Sequence, residues 1–302
     1  GSSICETLEL ERYAQFLLDA LDRLEIDDGF EFGVFGELGE FIKELVKALT
    51  TEENALAYWM RANALKENYR LSVRKGIRGE EEGISAGLVR QFLTAVIERT
   101  RKAAAKATDA RGLIAIYFTY EVLEYEVLEH EHEGKSFVMP KKFKRHALPL
   151  FLEGLVHALR VTRDPAKARR MHQAVRASGL YDKALKMYKV NADISGEGEE
   201  IGRARVFPRG WLENESIWLH MEYKYLLELL RCGLYTEFYE AMKDAMIPFL
   251  KPEVYGRSIL ESSSFLVSSA HTDPSLHGRG FVARLSGNTG HKSPAVQRWI
   301  RV

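Results

Sequence analysis

Helical periodicity constrains the fold of this 302-residue sequence more than any other feature. Between residues 6 and 24, Leu10, Tyr13, Leu17, Leu21 and Leu24 recur at steps of three and four, which predicts one amphipathic helix with an apolar stripe. Similar spacing between Gly, Pro and capping residues predicts further helices at 38–49, 51–74, 85–106, 148–161, 165–177, 215–232 and 235–246. The sequence therefore predicts an array of helical pairs.

Few segments of the sequence favour extended structure. Residues 113–120 are aromatic and β-branched, which predicts a strand or a buried extended segment. The acidic stretch 121–133 is interpreted as a helix end with an exposed loop, 140–145 as a basic loop and 186–210 as a long loop. We therefore predict an all-α fold over a single domain, 1–302, and a closed toroid of helical hairpins is compatible with this pattern.

The charges of the chain balance, with 43 basic and 43 acidic residues. A net charge of zero argues against general binding to nucleic acid or to an anionic membrane, because both need a positive field. Acidic residues prevail in 1–134 and basic residues in 135–302. This asymmetry indicates either solvated helix faces of opposite sign or a basic part that binds an anion such as phosphate.

Signals for membrane insertion, export or metal binding are weak. No apolar run reaches the roughly 20 residues that span a bilayer, and the first residues lack the basic flank and apolar core of a signal peptide. Cys5 and Cys232 cannot form a disulfide framework and lack metal-ligand spacing, which predicts a reducing, cytoplasmic setting. The run His130-Glu131-His132 lies among acidic residues and is interpreted as solvated, so we predict no metal and no bound cofactor.

The densest group of chemically useful residues is the run GWLENESIWLHMEY at 210–223. Tryptophan faces stack on the apolar faces of sugar rings, and carboxylates and amides bind sugar hydroxyls. The same residues are also typical of a helix N-terminus with acidic capping residues and a histidine that faces the core. Both interpretations are compatible with the residue types alone.

Three further runs combine hydroxyls, arginines, histidines and glycines. They are YGRSILESSS at 255–264, HTDPSLHGRG at 271–280 and RLSGNTG at 284–290. An oxyanion needs the charged fork of arginine together with hydroxyl and backbone N–H donors, which such runs supply. A loop rich in Ser and Gly without a ligand is the alternative interpretation.

Several of these strings resemble bacterial proteins related to cellobiose phosphorylase. The resemblance lies in EIGRAR at 200–205, GWLENESIWLH at 210–220, YGRSILE at 255–261 and HGRGFVARLSG at 277–287, and it is densest between about residues 186 and 290. That family of inverting glycoside phosphorylases has an (α/α)6 toroid. The resemblance implies a partial or complete (α/α)6 toroid and phosphorolysis of a β-glucoside, in which inorganic phosphate attacks the anomeric carbon in place of water.

The resemblance implies a phosphate-binding role for His220 and for the run Ser286-Gly287-Asn288-Thr289, and we assign the remaining roles from residue type. Phosphate, the co-substrate, would be bound by His220, Arg257, Arg279, Ser286 and Thr289. The sugar of an oligosaccharide or disaccharide would be bound by Trp211, Glu213, Asn214, Glu215 and Glu261. A homodimer is left open by the pattern.

The sequence departs from the family at the catalytic acid, which is an aspartate in a loop similar to Asn-Asp-Ala-Leu-Asn-Gly. The nearest run, DALD at 19–22, lies inside a predicted helix, and no residue is assigned as the acid. We therefore expect the C-terminal part of a larger catalytic domain, inactive on its own, with residues 290–302 as a tail outside the family pattern. Two alternatives remain: a hydrolase using two of Glu213, Glu215 and Glu261 as acid and base, and a helical binding module without chemistry.

Overall fold

The computed structural model describes residues 2–51, 54–132, 135–162 and 164–283. Its α-helices are α1 (Cys5–Arg23), α2 (Gly36–Thr50), α3 (Ala55–Val73), α4 (Ala86–Ala107), α5 (Leu152–Val161), α6 (Pro165–Arg176), α7 (Leu219–Arg231), α8 (Tyr235–Ala245) and α9 (Pro252–Tyr255). Its strands are β1 (Ser2–Ser3), β2 (Glu31–Phe35), β3 (Glu81–Ser85), β4 (Tyr117–His132), β5 (Lys135–Ala147), β6 (Tyr181–Asp182), β7 (Met187–Tyr188), β8 (Ile217–Trp218), β9 (Phe265–Leu266) and β10 (Gly280–Phe281). Short 3-10 turns lie at Glu199–Val206, Ile247–Phe249 and Pro274–Leu276.

The prediction of an all-α (α/α)6 toroid is wrong, because the fold is mixed and contains several antiparallel sheets. The largest error lies in the stretches that we interpreted as a helix end and two loops. They form the two long strands β4 and β5, which continue a sheet in the order β1-β4-β5. Acidic side chains of β4 meet basic side chains of β5 in the pairs Glu126–Lys141 (2.7 Å), Glu124–Lys142 (3.0 Å) and Glu121–Lys144 (3.6 Å). The charged side chains that led us to interpret these stretches as solvated loops therefore form ion pairs between β4 and β5.

The fold divides into two compact units, and the prediction of a single domain stays a prediction. One unit comprises Glu6–Lys106 and the described part of Val122–Phe143. Its core includes Ala14 and Leu21 of α1 and Leu93, Val96 and Ile97 of α4. The predicted stripe of α1 is only partly buried, because four of its five members are exposed: Leu10, Tyr13, Leu17 and Leu24. An antiparallel ribbon of β2 and β3 precedes α2 and α4.

The other unit comprises the described parts of Gly1–Cys5, Ala107–Glu121 and Lys144–Val302. Helix α7 packs against α5 and α8, and the buried leucines Leu155, Leu159, Leu226 and Leu229 lie on α5 and α7. A three-stranded antiparallel sheet has the order β10-β9-β8, with Trp218 and Phe281 both opposite Phe265 of the central strand. This sheet places the beginning of α7 next to the loops that carry the predicted site residues.

Two predicted helix caps are confirmed. Ser85 accepts a hydrogen bond from the Leu88 N–H at the start of α4 (3.2 Å), and Asp164 accepts one from the Ala166 N–H at the start of α6 (2.8 Å). Helix α3 begins later than predicted, with Asn54 as its cap. Within the described residues, no helix is both long and apolar enough to cross a membrane. The predicted tail, 290–302, lies outside the described residues.

Candidate sugar and anion site

A buried ion pair organises the loop that leads into α7. The carboxylate of Glu215, only 2% exposed, accepts hydrogen bonds from Lys189 Nζ (2.6 Å) and from Arg209 Nε. The Glu215 N–H donates to Asn191 Oδ1 at 2.7 Å, and Glu215 has a left-handed backbone with φ 59°. Non-glycine residues adopt this conformation rarely, so the ion pair and the hydrogen bond together stabilise a costly turn. Glu215 therefore has a positioning role.

Asn214 is also buried and holds the same loop together. Its side-chain amide donates to Ser195 Oγ (3.0 Å) and to the Phe207 carbonyl (2.9 Å), and its Oδ1 accepts from the Ile194 N–H (3.4 Å). These contacts join residues 194–207 to the segment that enters α7. Because protein atoms occupy its donors and its acceptor, Asn214, like Glu215, shapes the loop rather than facing a ligand.

The predicted sugar-binding aromatic residue, Trp211, lies in a cluster on the three-stranded sheet. Its ring meets Phe265 and Phe281 edge to face, with centroid distances of 5.3 and 4.8 Å. Trp218 stacks on Phe265 at 5.7 Å and donates from Nε1 to the Leu212 carbonyl at 2.8 Å. Trp211 is half-buried, so the cluster fixes one part of the indole while another part reaches solvent.

Glu213 differs from its neighbours because one of its oxygens is unused. Its backbone carbonyl accepts a hydrogen bond from Asn191 Nδ2 at 2.5 Å, and Arg203 Nη2 lies 3.9 Å from Oε1. Oε2 is buried and has no hydrogen-bond partner among the described residues. A buried acceptor without a donor is costly, so this atom is suited to a hydroxyl that arrives with a ligand.

Two of the predicted phosphate residues come together at the end of α9. Gly256 ends this helix in the left-handed conformation, with φ 70°, and the Arg279 side chain packs along it, 3.7 Å from the place a Cβ would take. Arg257 donates from Nη2 to Glu261 Oε2 at 2.7 Å, while its Nε is buried and has no partner among the described residues. Within the described chain no carboxylate pairs with Arg279.

Hydrogen bonds of Tyr255 hold the turn that carries Arg257. Its hydroxyl donates to the Glu261 carbonyl at 2.8 Å and shares a 2.6 Å hydrogen bond with Ser263 Oγ. The ring is buried, and burial raises the pKa of the phenol. These contacts fold residues 255–263 into a turn that presents Arg257.

His220, the third predicted phosphate residue, lies at the beginning of α7 and not at the end of α9. It is exposed in the first turn of α7 and meets the Trp218 ring edge to face at 5.6 Å. Desolvation lowers its pKa, Lys224 lowers it further and Glu153 opposes both. His220 follows β8 and Arg279 precedes β10, which are the two outer strands, and no described contact joins them. Ser286 and Thr289 lie outside the described residues.

The three carboxylates proposed for a hydrolase all lie beside arginines. Glu215 binds Arg209, Glu261 binds Arg257, and Glu213 lies near Arg203. An acid and base pair needs one carboxylic acid that can donate a proton and one carboxylate that can activate water. Carboxylates engaged by guanidinium groups suit neither task well, so this geometry argues against the hydrolase alternative.

One carboxylate of the run 210–223, Glu222, could not be distinguished by sequence reasoning. Glu222 is fully buried in α7, and its pKa is raised to about 8, chiefly by burial and in smaller part by the charges of Asp244 and Asp182. Glu222 Oε1 accepts from the Tyr188 N–H at 2.9 Å. The sequence shows Glu222 only as another carboxylate at a helical position, and nothing local distinguishes it. Only the packing of distant segments around α7 reveals its burial.

Comparisons with known proteins do not assign the chain to a family. No model of a known protein family matches the sequence, and no curated protein matches it.

Proposed function

We propose that this chain binds inorganic phosphate and a sugar, as a phosphorylase of the inverting glycoside class would. The observation that carries the proposal is the buried, unpaired Nε–H of Arg257 beside Arg279. A buried guanidinium donor without an acceptor costs roughly 1 to 3 kcal/mol or more, and an oxyanion would satisfy it. The family resemblance of the surrounding strings makes phosphate the expected oxyanion.

The arginine pair suits phosphate for electrostatic reasons. The Arg279 side chain packs against Gly256, the chain neighbour of Arg257, and of the two arginines only Arg257 has a carboxylate partner among the described residues. A phosphate dianion accepts charge-assisted hydrogen bonds from guanidinium groups, and such bonds are about twice as strong as neutral ones. Arg257 would bind through Nε and Arg279 through its free fork, while Glu261 keeps Arg257 oriented.

The sugar part of the proposal rests on Trp211 and Glu213. A half-buried indole offers an apolar face for a pyranose ring, and the unpaired Glu213 Oε2 offers an acceptor for a sugar hydroxyl. Asn214 and Glu215 would act indirectly, by holding the loop that carries both groups. We assign the catalytic acid to none of Glu213, Glu215 and Glu261, so we expect binding without release of a sugar 1-phosphate.

Titration calorimetry with inorganic phosphate tests the proposal. The unmodified chain is expected to bind one phosphate, and Arg257→Gln and Arg279→Gln are each expected to weaken binding by about 10-fold or more. Arg170→Gln is the matched control, because Arg170 is an exposed arginine on α6. Equal binding by Arg279→Gln and the control would overturn the proposal. Release of sugar 1-phosphate from a β-glucoside would overturn the expectation of no turnover.

A further inference from the structure

Three side chains with metal-ligating atoms converge near the N-terminal strand. Cys5 begins α1, and Glu153 and His157 lie one turn apart on α5. The thiol sulfur, a carboxylate oxygen and an imidazole nitrogen all lie within 4.8 Å of one another. Cys5 is 7% exposed, and the other two residues are half-buried. No other such group of three occurs among the described residues.

Backbone pairing holds Cys5 in place. Strand β1 pairs with β4, with Ser2 opposite Phe118 and Ser3 opposite Tyr117. The Ile4 N–H donates to the Ile116 carbonyl at 2.9 Å, and the Cys5 N–H donates to Ser3 Oγ at 3.3 Å. The thiol is therefore attached to a strand of the same unit that contains α5.

Close packing holds α5 against the same segment. A Cβ on Gly154 would lie 2.2 Å from Ile116 Cγ2, so only glycine permits this approach of helix to strand. Gly154 is the neighbour of Glu153. The positions of the ligand-bearing backbones are therefore fixed from both sides, as a preorganised site requires.

The Glu153 carboxylate is oriented in the way that metal ligands commonly are. Tyr117 Oη donates to Glu153 Oε2 at 2.9 Å, while Glu153 Oε1 lies 4.0 Å from His157 Nε2. A tetrahedral zinc ion with bonds of about 2.0 to 2.1 Å to nitrogen and oxygen needs these atoms about 3.3 Å apart. Rotation of two side chains on one helical turn covers that difference. The tyrosine then acts as the outer hydrogen-bond partner that orients the ligand.

We propose that Cys5 Sγ, Glu153 Oε1 and His157 Nε2 form a Zn²⁺ site, with water in the fourth position. A thiolate with an imidazole and a carboxylate favours zinc over magnesium or calcium, which prefer oxygen ligands alone. The site departs from the sequence-based prediction of no metal, because Cys5 is far along the chain from the other two ligands. It does not depend on the proposed phosphate function.

Cobalt substitution tests the ligand set on the intact chain. Co²⁺ added to metal-free protein is expected to give a thiolate-to-cobalt charge-transfer band at one equivalent, displaced by Zn²⁺. Cys5→Ser is expected to abolish the band, and His157→Gln to weaken Zn²⁺ binding by more than about 100-fold. Cys232→Ser, which changes the other cysteine of the chain, is expected to change neither. A band that survives Cys5→Ser, or no band at all, would overturn the proposal.

Thiol protection gives a second readout that needs no variant. Zn²⁺ is expected to slow alkylation of Cys5 and leave that of Cys232 unchanged, as mapped by mass spectrometry of peptides. Equal protection of both cysteines, or of neither, would contradict the site. Tyr117→Phe keeps all three ligands and is expected to weaken Zn²⁺ binding by about 10- to 100-fold through loss of the outer hydrogen bond.

Discussion

We expect Glu222 to make the stability of this protein fall as pH rises. Its carboxyl group is fully buried, and burial raises the pKa from 4.5 to about 8. Burial is the largest cause of this raised pKa; the Tyr188 N–H opposes it by donating to Oε1, and the charges of Asp244 and Asp182 contribute in the same direction as burial. In the unfolded chain the carboxyl ionises near its ordinary pKa. The folded state therefore holds one more proton between about pH 4.5 and pH 8.

The size of the effect follows from this difference in pKa. Each pH unit between the two values costs about 1.4 kcal/mol of unfolding free energy, so the full penalty is about 5 kcal/mol above pH 8. Below about pH 4.5 both states are protonated and the penalty vanishes. Glu222→Gln is neutral at every pH and keeps an acceptor for the Tyr188 N–H. The variant should therefore gain stability relative to the unmodified chain as pH rises.

Urea unfolding at several pH values measures this gain. Between about pH 5.5 and pH 7.5, the unfolding free energy of Glu222→Gln minus that of the unmodified chain should rise by about 2 to 3 kcal/mol. Glu240→Gln is the control, because Glu240 is an exposed carboxylate on α8, and its difference should stay nearly constant. A Glu222→Gln difference that does not change with pH would refute the reasoning.

Three further predictions follow from buried or capping groups. Glu215→Gln leaves the buried Lys189 ammonium without its counter-charge, so the free energy of unfolding measured in urea should fall by about 3 to 5 kcal/mol. A loss below about 1 kcal/mol would contradict a stabilising ion pair. Burial and then the charge of Arg176 lower the pKa of His172 to about 4, so the free energy of unfolding should fall as pH drops from about 6.5 to 4. The nuclear magnetic resonance signals of the His172 ring should not shift with pH above about pH 5.5. A titration midpoint near pH 6.5 for these signals would contradict this prediction. Asp164→Ala removes the α6 cap and should cost about 1 kcal/mol in urea unfolding, whereas no change would show that the cap adds nothing.

Local chemistry explains which elements could be predicted. The helices follow from apolar spacing and capping residues, and these act over a few residues of the chain. The beginning of β4 lies in the segment 113–120 that was predicted as extended, whereas β5 and the rest of β4 were missed because their alternating charges resemble a solvated loop. The lysines that pair with Glu124 and Glu126 become visible only when the two strands lie side by side.

The candidate site was predicted in composition but not in orientation. The run at 210–223 does carry polar groups in dense packing, yet Asn214 and Glu215 point into the loop. Residue types alone do not determine which side chains of a loop face solvent. Here the left-handed backbone at Glu215 determines their direction. Arg279 packs against Gly256, the chain neighbour of Arg257, and no spacing in the sequence reveals this contact.

The central claim is that Arg257 and Arg279 bind phosphate, and the arginine Nε–H signals of the two residues test it most directly. Titration of isotopically labelled protein with inorganic phosphate, at constant ionic strength, is expected to shift both signals in a saturable way with one common dissociation constant. The Nε–H signal of Arg170 should stay in place. Saturable shifts that exclude Arg257 and Arg279, or the absence of any saturable shift, would contradict the account.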